Sequence, residues 1–209
     1  MTYQLISATP SPYARKVRIA LIEKGIPFVL RTEVPWHADT ATPAYNPLEK
    51  LPVLVLPDGT GVYESRFILE WLEVRHPEPP LLSRNSELAL RARQIEVICD
   101  GVCDATVLLF FERRREAPSE PWMARQRRKV DGGLAALAAA VRPGFLVGDT
   151  FGLADICAGT VLRYLSVRYP EHPWRETHLA LAALSDRLEQ RPSFAVTVPV
   201  PQSITQAVV

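Results

Sequence analysis

No uninterrupted apolar run of the length a membrane helix needs, about 18 residues or more, occurs in the 209 residues of the sequence. The opening stretch MTYQLISATPSPYARK has no basic segment followed by an apolar core, so no secretory leader is expected. Net charge is almost absent as well. Lys and Arg total 24 against 23 Asp and Glu, a formal charge of +1. No whole-molecule field therefore recruits nucleic acid or an anionic membrane. Cysteine is scarce and odd in number: Cys99, Cys103 and Cys157 offer no disulfide framework, which fits a reducing, cytoplasmic compartment. Cys99 and Cys103 stand one helical turn apart, yet the histidines His37, His76, His172 and His178 are scattered without ligand spacing. No metal site is expected, and the thiols read as buried and inert. Neither an internal repeat nor a low-complexity segment is present beyond the alanine-rich 135–140.

What is present is enough chain for one large domain or two small ones with a substantial core. Residues 3–7 read as a strand, and Thr9-Pro10-Ser11-Pro12 cannot continue it. Pro12 suits the first position of a helix, with Ser11 as its N-cap. Over 13–24 Ala14, Val17, Ala20 and Leu21 share one face, and Gly25 stops the helix. A second strand at 28–34 follows so soon that the pair must be parallel, with a right-handed crossover. One or two helical turns are expected near 38–45, then a hairpin, then a helix striped by Phe67, Ile68, Trp71, Leu72 and Arg75. This is β-α-β-α-β-β-α in about eighty residues, a small layered α/β domain. After His76-Pro-Glu-Pro-Pro80 only helices are read. Leu88, Ala92, Ile95, Cys99, Val102, Thr106 and Leu109 form a packing seam, and around 105–111 the apolar character spreads all round. Further helices are expected at 122–141, 152–169 and 177–190; the tail 197–209 has no clear periodicity. Asp155, three residues after Gly152, reads as a structural capping residue, with Phe151 and Ile156 as a hydrophobic staple.

Residues 46–65, NPLEKLPVLVLPDGTGVYES, organise the rest. Leu51-Pro52 opens a strand where a ladder donor is already missing, and Glu64-Ser65 stands where the free N–H groups of a helix start converge. One reading is a polar, backbone-lined site for a small anionic, peptide-like ligand; the other is a plain hairpin followed by a helix cap.

The segments SPYARKVRIAL, NPLEKLPVLVLPDG, ESRFILEWLE, DGVCD and VGDTFGLADI, in this order across the α/β-to-helical change, resemble the cytosolic glutathione transferase superfamily, in its serine-type, bacterial-like form. The resemblance implies a thioredoxin-like N-terminal domain (1–76), a linker (77–84) and an all-α helical C-terminal domain (85–209). It implies that Pro52 is a cis-proline and that Leu51 pairs its backbone with the cysteinyl part of glutathione. Glu64 and Ser65 would hold the γ-glutamyl end and Lys50 the glycyl carboxylate. Asp104 would reach the γ-glutamyl amine across a homodimer interface, and Ser11 would be the catalytic hydroxyl. Gly152 departs from the Ser or Thr customary at that cap.

On chemical grounds an unperturbed thiol of pKa about 8.5 is only about 3% thiolate at pH 7, so it needs a stabilising donor. Ser11 at a helix start supplies one without histidine or aspartate; it is equally readable as a mere N-cap, and Thr9, Tyr3 and Tyr13 are competing hydroxyls. Serine in place of cysteine removes the attacking sulfur of thiol–disulfide exchange. Conjugation to a small hydrophobic electrophile, or a glutathione-dependent isomerisation, is therefore expected, with Tyr13, Trp36, Leu108, Phe111 and Tyr164 as candidate pocket residues in the cleft between the two halves. The competing reading is a non-enzymatic binding or regulatory member of the same fold. Arginines 113–115 and the basic run 125–129 would then form a face for an acidic partner, although solvated helix ends explain them as well.

Overall fold

The first strand, β1 (Tyr3–Ser7), buries Leu5 and Ile6 completely and sits at the centre of the molecule's only described sheet. The computed structural model describes residues 2–205. Four strands are ordered β2-β1-β3-β4. β2 (Phe28–Thr32) runs parallel to β1, with Tyr3 opposite Phe28. β3 (Val53–Val55) is antiparallel to β1 with Val53 opposite Ile6, and β4 (Gly61–Val62) is antiparallel to β3. Between β1 and β2 lies α1 (Pro12–Glu23), whose Ala14, Val17, Ala20 and Leu21 are fully buried. After β4 comes α2 (Ser65–Arg75), packed on α1 and β3 through Ile68, Leu69 and Leu72. This is the thioredoxin-like arrangement, a mixed sheet with its crossover helix.

Two local expectations fail for identifiable reasons. β2 ends at Thr32 and not at 34 because its partner β1 ends at Ser7: the Glu33 N–H still reaches Ser7 O at 2.9 Å, beyond which β1 offers no further partner, and the Glu33 carboxylate accepts from Thr40 and Ala41. The helical turns near 38–45 shrink to a 3-10 turn, Thr42–Ala44. Thr40 Oγ1 takes the Thr42 N–H at 3.3 Å, which a helix would otherwise use, and Pro43 offers no donor.

By internal contacts the chain divides in two, one unit running to Leu81 and taking back the tail from Val196, the other covering Leu82–Ala195. The expected division at 85–209 places all of the tail in the helical half; its described part, 196–205, groups instead with the sheet unit. Within the helical unit α3 (Ser86–Glu112) is capped by Asn85, whose Oδ1 accepts from the Glu87 and Leu88 N–H groups at 3.0 and 3.2 Å. The expected seam is buried at Ala92, Ile95, Cys99, Val102, Thr106 and Leu109. It packs on α4 (Glu120–Ala140) and α5 (Leu153–Arg168). Contact with α4 is so close that a Cβ at Gly133 would stand 2.2 Å from Val102 Cγ2. The helix expected at 177–190 is observed over 179–189. A single turn, α6 (Trp174–Thr177), precedes α7 (Leu179–Glu189), because His178 adopts φ −128° and ψ 71°, outside the helical region. A last turn, α8 (Pro192–Ala195), buries Phe194. Among the described residues no helix is long and apolar enough to cross a membrane, and no group of three or more His, Cys, Asp or Glu could hold a metal ion.

Candidate functional site

The strand directions decide where a site can be. β1 and β2 point the same way and β3 points against them. The loop after β1, the loop after β2, the start of β3 and the exit of β4 therefore share one end of the sheet. Ser11, Glu33, Leu51-Pro52 and Glu64-Ser65 occupy these four connections.

Ser11 is the N-cap of α1. Its Oγ accepts the Ala14 N–H at 3.2 Å, its own N–H donates to Ala8 O at 3.1 Å, and Pro12 follows as the first helical residue. Capping uses one lone pair of the hydroxyl and leaves its proton to donate elsewhere, so cap and thiol donor are compatible roles. Thr9, the nearest competitor, is half-buried, and its carbonyl accepts the Val200 N–H at 3.4 Å. Tyr3 is removed from the competition. It lies at the opposite end of β1, its hydroxyl is 3.0 Å from His76 Nε2, and its ring stands edge-on to Trp71. Tyr13 is half-buried in the first turn of α1, and Trp36, in the loop after β2, is 45% exposed.

The Leu51–Pro52 bond is cis. Leu51 is buried in a cluster with Ile6, Ala8, Val53 and Val55, against which Tyr45 and Tyr63 pack. Lys50 is exposed, and its carbonyl accepts from Asn46 Nδ2 at 2.7 Å. Asn46, fully buried, also accepts the Leu48 N–H on Oδ1 at 2.9 Å. The loop that carries Lys50 and Leu51 is thus built on one amide side chain. Sequence reasoning passed over it, although Asn-Pro is a turn signal. Asn46→Ala is expected to strand both backbone groups and cost about 2 kcal/mol. Asn46→Asp should do no better, since its carboxylate would face the Lys50 carbonyl. Denaturant midpoints lowered in both variants would bear this out.

At α2 the Glu64 carboxylate caps the helix, Oε1 accepting from Arg66 and Phe67 N–H at 3.1 and 3.2 Å. Ser65, 1% exposed, has no hydrogen-bond partner for its hydroxyl. A buried hydroxyl without a partner costs roughly 1–3 kcal/mol, and a ligand group is one way to recover it. Glu33, also missed, sits below the ordinary carboxylate range: burial pulls it up, and the hydrogen bonds from Thr40, Arg31 and Ala41 together outweigh that pull. No sequence signal marks it.

The remaining candidates lie in the helical unit. Asp104 is exposed on α3, Leu108 is 41% exposed, and Phe111 is half-buried with its ring against Phe110. Tyr164, on α5, is a core residue at 4% exposure, and burial beside Cys103 pushes its hydroxyl well above the usual tyrosine range. The apolar surround read at 105–111 is thus incomplete: Ala105, Thr106 and Leu109 are buried and Leu108 is open.

Residues 10–75 match the glutathione S-transferase N-terminal domain family and 120–187 the corresponding C-terminal domain family. The chain is 36% identical to the uncharacterized GST-like protein YibF of Escherichia coli, over 94% of this chain and 98% of that protein. It is 34% identical to a maleylacetoacetate isomerase of Pseudomonas aeruginosa, over 68% of this chain and 71% of that one. A crystal structure of a Methylobacterium radiotolerans glutathione S-transferase in complex with glutathione sulfonate superposes over the whole of both chains, with 62% identity and a TM-score of 0.98.

Proposed function

The chain belongs to the glutathione transferase family, and from that premise we propose that it is a cytoplasmic, homodimeric glutathione S-transferase that turns the bound thiol on a small hydrophobic electrophile, as in detoxification. Ser65 carries the reading: a fully buried hydroxyl without a partner, at the start of a helix whose dipole favours an anion, fits the γ-glutamyl carboxylate. Bound glutathione would supply the nucleophile, its sulfur forming a C–S bond while the leaving group departs with its electron pair.

The rest is done by the chain. Glu64, its Oε1 engaged by the helix, has Oε2 to receive the γ-glutamyl amine. Leu51 offers its backbone to the cysteinyl unit and Lys50 its ammonium to the glycyl carboxylate. Asp104, exposed on α3, would approach the amine from the second subunit. Ser11 donates its proton to the sulfur, and the N-terminus of α1 adds the field of its free N–H groups. Tyr13, Trp36, Leu108 and Phe111 are proposed to meet the electrophile. Likeness to an isomerase favours a second reaction class for the same site, a thiol-dependent isomerisation.

Calorimetric titration with glutathione, followed by conjugation of 1-chloro-2,4-dinitrobenzene, tests the proposal. Binding and chloride displacement are expected, and Ser65→Ala should weaken glutathione binding by about tenfold or more, the loss of one hydrogen bond to a charged group. Absence of binding at millimolar glutathione would sink the transferase and leave the non-enzymatic reading.

A further inference from the structure

Asn46 holds the Lys50 carbonyl and the Leu48 N–H, and a chain of earlier residues holds Asn46. Its own N–H donates to Thr42 O at 2.9 Å, and the Tyr45 N–H donates to the same oxygen at 3.0 Å. Thr42, fully buried like Asn46, is fastened in turn by Thr40, whose Oγ1 lies 2.8 Å from Thr42 Oγ1 and accepts the Thr42 N–H at 3.3 Å. Thr40 Oγ1 donates to Glu33 Oε2 at 3.0 Å, the Ala41 N–H reaches the same oxygen at 3.3 Å, and Arg31 Nη2 donates to Oε1 at 2.6 Å. The Glu33 backbone is fixed on both sides, its N–H on Ser7 O at 2.9 Å and its carbonyl by Gln202 Nε2 at 3.1 Å. A continuous series of hydrogen bonds therefore runs from the end of β2 to the Lys50–Leu51 peptide, one residue before Pro52.

The direction of this relay is set at one end. The Glu33 carboxylate is ionised at neutral pH and can only accept. Thr40 has a single hydroxyl proton, which Glu33 takes, so between the two threonines it is the Thr42 hydroxyl that donates. Thr40 Oγ1 then has both lone pairs engaged, by the Thr42 hydroxyl and by the Thr42 N–H. The turn at 42–46 cannot shift without breaking one of these bonds, and buried bonds in a network are costly to break. The Arg31 guanidinium that pairs with Glu33 also lies 5.9 Å from the centre of the Tyr45 ring, within the same turn. Next to Lys50, Glu49 holds φ 55°, a left-handed conformation uncommon outside glycine. Such a conformation persists where the surroundings over-determine the backbone.

We infer that Glu33 is a positioning residue for glutathione: through Thr40, Thr42 and Asn46 its carboxylate sets the place of the Lys50 and Leu51 backbone, and with it the strength of binding at the cysteinyl and glycyl end. The inference rests on the glutathione reading above and adds to it a residue that acts without touching the ligand. The relay ends at Leu48 and Lys50, while the Ser11 hydroxyl is held separately by α1. Glu33 therefore governs affinity and leaves the chemistry of the bound thiol alone.

Calorimetry with glutathione, together with conjugation of 1-chloro-2,4-dinitrobenzene by the full chain, tests the relay. Glu33→Gln keeps the shape but cannot accept on both arms, so either Arg31 or Thr40 loses its partner. Glutathione binding should weaken about tenfold, while kcat at saturating glutathione and the acidic limb of the pH–rate profile stay as in wild type. Thr42→Val deletes the hydroxyl in the middle of the relay at nearly constant shape and should weaken binding by a similar factor; Thr42→Ser keeps the hydroxyl and should bind as wild type does. Both changes cut one chain, so Glu33→Gln with Thr42→Val should cost little more than either alone, where independent sites would multiply to about a hundredfold. If wild-type protein binds glutathione and Glu33→Gln shifts its affinity by less than about twofold, or the two losses multiply in full, the relay is overturned and the transferase reading stands. Should Glu33→Gln fail to fold, the Thr42 pair decides: equal affinity in Thr42→Val and Thr42→Ser overturns the relay. If wild-type protein binds no glutathione, the transferase reading falls and the role of Glu33 with it.

Discussion

Ser11→Ala is expected to lower the conjugation rate by at least about tenfold and to move the acidic limb of the pH–rate profile upward by about one to two units. The size follows from the chemistry. A hydrogen bond to a charged group is worth about 1.5–3 kcal/mol, and two pKa units correspond to about 2.7 kcal/mol of preference for the thiolate. At pH 7 the variant would hold most of its bound thiol protonated. Ser11 also caps α1 through the Ala14 N–H, so the alanine variant loses about 1 kcal/mol of stability as well. Ser11→Asp separates the roles. An aspartate caps the helix as well as serine does, but its carboxylate has no proton to give and repels the thiolate. Retained stability with lost activity is the expected outcome for Asp. A pH–rate profile unchanged in Ser11→Ala would reject Ser11 as the donor.

Much of this arrangement is readable along the chain, wherever local chemistry decides it. Pro12 at the first helical position, Ser11 before it and Gly25 after the last turn mark both ends of α1. Gly25 has φ +64°, which few residues other than glycine adopt readily. Pro52 before three buried strand residues and Glu64-Ser65 before α2 are equally local signals. Parallel pairing of β1 with β2 follows from the length of the crossover alone. Failures occur where a distant partner decides. β2 ends at Thr32 because its partner β1 ends at Ser7, and Thr40, bonded to the Glu33 carboxylate, takes the Thr42 N–H that the helix expected behind it would use. Asn46 is one polar residue among several in its loop until its bonds to Lys50 and Leu48 are seen. The tail looks aperiodic because its prolines interrupt any pattern, and its partners Thr9, Glu33 and His37 lie at the other end of the chain. The spacing of apolar residues within a short stretch carries no trace of a contact at that separation.

Asp155→Ala is expected to be the most destabilising single change in the helical unit, about 3–5 kcal/mol. Asp155 is 1% exposed, and its two carboxylate oxygens accept separate backbone donors, Leu146 N–H at 3.0 Å and Gly152 N–H at 3.1 Å. One carboxylate thus caps α5 and fastens the loop before it, close to the ring contacts of Phe151 with Phe145 and Phe194. Alanine would leave two donors unpaired, roughly 1–3 kcal/mol each, out of a total stability on the order of 5–15 kcal/mol. The melting temperature should fall by roughly 10 °C or more. Asp155→Asn keeps one acceptor and should lose about half as much. Burial raises the Asp155 carboxyl above the ordinary aspartate value, against the opposing pull of the Leu146 and Gly152 N–H groups and of Arg187. The folded protein therefore holds this proton to higher pH than the unfolded chain. The stability linked to it is complete below about pH 4 and is lost as pH rises through the folded-state value. Asparagine has no such titration. The gap between wild type and Asp155→Asn should narrow as pH climbs from about 4 upward, and a gap that widened over that interval in thermal melts would show that the two N–H bonds outweigh burial.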